Sequence, residues 1–120
     1  MLNTSMSAGN YSFILTQGET FNRVITYTDI NNNPINLTGF TGDMMVRSPL
    51  GEGVLIEFST TNGAMVLGGT AGTITLSANS TTTIALPAVV GNYDLFLTSG
   101  AMVASCLLFG AFEIQEAVTT

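Results

Sequence analysis

Short runs rich in Val, Ile, Thr, Phe and Tyr recur along this 120-residue chain between clusters of Gly, Asn and Pro, and helical periodicity is almost absent. Runs of this kind fit a pleated, half-buried surface, and turn residues at their ends let the chain reverse. The sequence therefore predicts an all-β protein with strands over residues 11–16, 21–28, 40–47, 54–59, 64–67, 73–77, 92–98, 102–109 and 111–114. The last two are read as one bent strand broken at Gly110, where a missing side chain permits a kink.

Alternation assigns faces. In Thr73-Ile74-Thr75-Leu76-Ser77 the apolar positions point inward and the hydroxyls outward. Tyr93, Leu95 and Leu97 share one face, which leaves Asp94 and Phe96 on the other. Phe21, Ile25 and Tyr27 share theirs with Arg23, an imperfection in an otherwise apolar row. Turn chemistry is dense at Asn31-Asn32-Asn33-Pro34, Ser48-Pro49-Leu50-Gly51, Asn62-Gly63 and Gly68-Gly69. Residues 78–86, ended by Pro87, have room for one helical turn in a crossover, and the Ser80 to Thr83 run disfavours anything longer. Strands at this spacing predict one domain over residues 1–120, an antiparallel Greek-key β-sandwich of seven to nine strands, with short tails at 1–9 and 117–120. Its outline is immunoglobulin-like, although the Cys and Trp hallmarks of that fold are missing, and a small closed barrel is the rival.

Charge narrows the function. Charged residues make up 8% of the chain, roughly a third of the usual share, and the net charge is −6 with two Arg, no Lys and no His. Affinity for nucleic acid comes largely from cationic side chains on phosphates, so DNA and RNA are disfavoured as partners, and so is an anionic membrane surface. A surface solvated by Thr, Ser and Asn instead invites self-association. Cys106, the only cysteine, lies in an apolar run and reads as a buried, inert thiol. The N-terminus lacks the basic and apolar regions of a signal peptide.

The residues offer little chemistry. Without His the commonest general base and metal ligand is missing, and the eight carboxylates are scattered singly. No catalytic residue, cofactor or metal is expected, and the chain reads as a non-enzyme. Asp29-Ile30-Asn31-Asn32-Asn33 begins like a calcium loop, but Pro34 stands where Gly is needed and Phe40 where the bidentate Glu belongs, so it reads as an Asx-rich hairpin turn. The six Met read first as core filling and second as an adaptable contact surface. Interface candidates are Phe96, Met44 and the chain end at Thr119 and Thr120.

One ordered set of motifs spans residues 11–116: Gln17-Gly18-Glu19-Thr20-Phe21, then Asn33-Pro34-Ile35-Asn36-Leu37-Thr38-Gly39-Phe40-Thr41, then Met45-Val46-Arg47. Asn62-Gly63, Gly72-Thr73-Ile74-Thr75-Leu76, a Thr and Ala crossover to Leu86-Pro87, and Gly91-Asn92-Tyr93-Asp94-Leu95 follow. This order resembles small immunoglobulin-like virion proteins of tailed bacteriophages, including the N-terminal domain of baseplate upper proteins. The resemblance implies a virion protein of the tail, baseplate or fibre-attachment apparatus that contacts other virion proteins and forms homo-oligomers, with a trimer as one symmetry. In that family the domain anchors a fibre stalk or receptor-binding part; the absence of heptads here favours a small adaptor. A capsid decoration protein is the alternative, and a carbohydrate-binding module with Tyr11, Tyr27 or Tyr93 as platform is a third.

Overall fold

The computed structural model describes residues 9–49, 51 and 53–117. Nine strands form two sheets: β1 Gly9–Asn10, β2 Phe13–Thr16, β3 Phe21–Thr26, β4 Thr41–Arg47, β5 Val54–Ser59, β6 Met65–Leu67, β7 Thr73–Ala78, β8 Val90–Thr98 and β9 Ala104–Gln115. The larger sheet runs β1-β9-β8-β4-β5, with β2 also on β9, and the smaller runs β3-β7-β6. The chain passes between sheets after β2, β3, β5 and β7, which gives the Greek-key sandwich. All pairings are antiparallel except those of β1 and β2 with β9, which are parallel. Gly9, read as the end of the N-terminal tail, instead pairs with Leu108, and residues 1–8 and 118–120 lie outside the described residues.

Alternation does what the sequence predicts in β7 and β8, whose inward side chains Ile74, Leu76, Tyr93, Leu95 and Leu97 are buried. The two sheets close on Phe21, Phe58 and Phe112, whose ring centroids lie 5.6–6.1 Å apart. Each buried ring contributes about 1.5–3 kcal/mol by leaving water. A short helix, α1 Ser80–Ile84, makes the last crossover; the Asn79 side chain accepts from the Thr82 N–H at 2.8 Å and starts it. Buried Thr83 then ties α1 to the turn before β3, donating to the Glu19 carbonyl at 2.7 Å and accepting from the Gly18 N–H at 3.0 Å.

β9 is one strand from Ala104 to Gln115, and its register irregularity falls near Leu107, with the pairing through Gly110 unbroken. A Cβ at Gly110 would run into the Tyr11 carbonyl. That close approach lets the Tyr93 hydroxyl donate to the same carbonyl at 2.5 Å, at the break between β1 and β2. Arg23 explains the imperfect row in β3. Its guanidinium lies 4.4 Å from the Phe21 ring centroid, donates to the Ile14 carbonyl at 2.9 Å and the Asn22 carbonyl at 3.0 Å, and reaches Glu19 at 3.6 Å. An inward-leaning cation is tolerable because those partners replace its water. The Asp29 loop is an Asx turn: Asp29 Oδ1 accepts from the Asn31 and Asn33 N–H groups at 2.9 and 3.0 Å.

Candidate interaction face

Pairing register places side chains on the outer face of the larger sheet in rows. One row reads Glu57, Met45, Asp94, Phe109 across β5, β4, β8 and β9, and the next reads Ser59, Asp43, Phe96. Phe96 and Phe109 are 40% and 42% exposed, which is costly for two aromatic rings unless something covers them. Ile14 and Val90 extend this apolar strip where β2, β9 and β8 meet, and both are also exposed. Asp94 lies between the two rings and Glu113 between Ile14 and Val90, Asp43 and Glu57 flank the rings toward β5, and Arg47 is the cation on that face.

Asp43 and Glu57 are diagonal neighbours on adjacent strands. A hydrogen bond that protonated Glu57 donates to Asp43, and then the negative charge of Asp43, hold the Glu57 carboxyl above its ordinary value. Asp43 Oδ1 itself is buried and lacks a hydrogen-bond partner among the described residues. No cluster of three or more metal-ligating side chains occurs among the described residues. A concavity of about 560 Å³ opens between β3, β5 and α1, lined by Asn22, Glu57, Asn62, Ser77 and Thr82 among others. Its single carboxylate has no second acid or base facing it across the opening, so the lining is suited to hydration rather than proton transfer.

The interface candidates divide. Phe96 lies on the outer face, as alternation predicts. Met44 does not: it is fully buried opposite Phe58, because β4 turns Gly42, Met44 and Val46 inward and Asp43 and Met45 outward. Met45, opposite Glu57 and Asp94, is the methionine of this face, and the charged neighbours Asp43 and Arg47 at alternating positions were the signal that assigns it. Thr119 and Thr120 fall outside the described residues. Cys106 is half-buried instead of buried, because the register slips one residue between Leu95 and Phe96 and leaves it opposite Phe96. Desolvation, and then Asp94, push its thiol up. Phe109, which the sequence reading passed over, joins Phe96 as the second ring. As for sugar platforms, Tyr11 is exposed, whereas Tyr93 is buried with its hydroxyl engaged.

No family model matches this sequence, and no curated protein matches it. Among solved structures, the chain is similar to one from a photo-crosslinking study of multimeric cell-adhesive interactions of VGSC beta subunits, at 12% identity and a TM-score of 0.42, covering 94% of this chain and 97% of that one. It is also similar to Drosophila OTK extracellular domains 3–5, at 17% identity and a TM-score of 0.36, covering 86% of this chain and 32% of that one. Scores this low carry no argument about partners.

Proposed function

We propose that this chain is a non-enzymatic structural protein of a tailed-phage virion, a tail, baseplate or fibre-attachment component that docks other virion proteins with the outer face of its larger sheet. The observation that carries the docking surface is the pair Phe96 and Phe109, two half-exposed rings on adjacent strands with carboxylates around them. Aromatic side chains at the centre of a patch and polar groups at its rim are the composition of a protein interface. The acidic rim calls for a partner that presents Arg or Lys. The virion assignment rests on the motif order given above, and low overall charge supports it by keeping the desolvation cost of assembly small. Capsid decoration is the alternative location.

The test is incorporation. Particles grown with Phe96→Glu in the full chain are expected to lose this protein while the purified variant keeps the wild-type circular dichroism spectrum. Particles that incorporate the variant at wild-type level refute the docking face. Copy number in wild-type particles then separates a tail from a head location, since a head coat needs far more copies.

A further inference from the structure

The smaller sheet differs from the larger in two ways that point to one partner. Its outer face carries Asn22, Val24 and Thr26 on β3 and Thr73, Thr75 and Ser77 on β7, with no Asp, Glu, Lys or Arg. Its β3 edge is also open at Val24 and Thr26, with the Asn22 carbonyl taken by Arg23. Tyr27 donates to the Gly72 carbonyl, which sets the phase of the β3–β7 ladder: residues 21, 23 and 25 bond to β7, and the N–H and C=O groups of Asn22, Val24 and Thr26 point away from it. No strand among the described residues pairs with that side of β3. The edge of β5 is treated differently. There the Asn62 side chain accepts from the Ser59 N–H at 3.1 Å and donates to the Glu57 carbonyl at 3.0 Å, as a neighbouring strand would, so that edge is blocked.

We infer that β3 pairs with β3 of a second copy, antiparallel about a two-fold axis at Val24. In this register Val24 faces its symmetry mate and exchanges both backbone hydrogen bonds with it, and Asn22 faces Thr26 of the other copy. Charge selects the occupant. In a chain of net charge −6, a copy-to-copy contact through the larger sheet would bring carboxylates against carboxylates, whereas the β3 contact brings Val, Asn and Thr together on its outer side and sets Arg23 against Ile25 of the other copy, with no carboxylate in the β3 ladder. Val24 is 61% exposed and lines, with Tyr11, Ile25 and Leu108, an apolar concavity of about 220 Å³ beside the edge, which the second copy covers. The Asn22 carbonyl already accepts from Arg23 Nη1, so the central Val24 pair and the Asn22 N–H carry most of the contact. The inference rests on the reading that the chain works by assembly, and it names the surface used for self-contact, distinct from the face offered to other proteins.

Sedimentation equilibrium of the full chain tests it. Wild type is expected to dimerise with a Kd on the order of micromolar, the strength of a small interface. Val24→Glu and Val24→Lys alone are each expected to weaken the dimer at least roughly tenfold, and an equimolar mixture of the two to restore it, because the two-fold axis sets these side chains against each other. Circular dichroism confirms that both variants fold, and Thr26→Glu, off the axis, serves as a second disrupting variant. Phe96→Glu is expected to leave the dimer intact. A monomeric wild type, a dimer indifferent to Val24→Glu, or variants whose mixture stays monomeric would each overturn the proposal. A dimer lost with Phe96→Glu instead would also overturn it, and would move self-contact to the larger sheet. Because incorporation into particles is read separately, failure here leaves the docking face standing, and failure there leaves the dimer standing.

Discussion

Phe112→Ala isolates what holds the two sheets together. Phe112 is fully buried, and its ring lies 5.8 Å from Phe13, 5.8 Å from Phe21, 6.1 Å from Phe58 and 6.4 Å from Tyr93, centroid to centroid. Truncating a buried Phe to Ala costs about 3–5 kcal/mol, and losing several ring pairs places this site near the upper end. A domain of this size has a net stability of about 5–15 kcal/mol, so a third or more of it disappears. With a urea m-value of about 1.5–2 kcal/mol/M, the midpoint falls by roughly 2–3 M at constant m. Far-UV circular dichroism and tyrosine fluorescence both follow the transition, since the chain has no Trp. Phe96→Ala in the same assay is expected within about 1 kcal/mol of wild type, because its ring is largely on the surface. A loss below about 1 kcal/mol for Phe112→Ala, or equal losses for the two rings, would refute the division between a packed core and a face held open for partners.

Three further outcomes follow from the hydrogen bonds and carboxyls. Tyr93→Phe leaves the Tyr11 carbonyl without its donor and is expected to cost about 1–2 kcal/mol in denaturant melts; the wild-type Tyr93 phenol, raised by burial, is expected to ionise above the ordinary tyrosine range in an absorbance titration. Thr83→Val removes the link from α1 to Gly18 and Glu19 and is expected to cost about 1–3 kcal/mol, with faster amide exchange at Gly18. Glu57 has its folded value raised by Asp43, so it holds its proton more tightly folded than unfolded; this favours the fold at acid pH and is lost as pH rises through the folded value. Glu57→Gln is accordingly expected to raise the thermal midpoint at pH 7 relative to wild type and to lose that advantage near pH 4, and a gain that is the same at both values would contradict the pairing.

Much of the architecture is legible in the residues because local patterns and tertiary burial agree. Thr73 to Ser77 alternates cleanly, Tyr93, Leu95 and Leu97 line up inward, and Asp29 closes its own turn. Three features depended on contacts distant in sequence, and a fourth on strand parity. The parallel pairing of β1 and β2 with β9 joins opposite ends of the chain, which no local period reports. Met44 and Met45 are adjacent and chemically alike, so only the parity of Asp43, Val46 and Arg47 decides which one enters the core. The Asp43–Glu57 contact and the half-burial of Cys106 follow from strand register and from a slip in it, respectively, and register is fixed by turns and by the whole sheet. The candidate face was therefore visible at Phe96 and hidden at Phe109, Met45 and the acid pair.

Electron cryomicroscopy of the intact particle whose genome encodes this chain tests the central claim most directly. The account predicts density for the sandwich within the particle, with Phe96 and Phe109 covered by a neighbouring protein that sets basic side chains against Asp43, Glu57 or Asp94. Particles that lack this chain, or that carry it with both rings facing solvent, would contradict it.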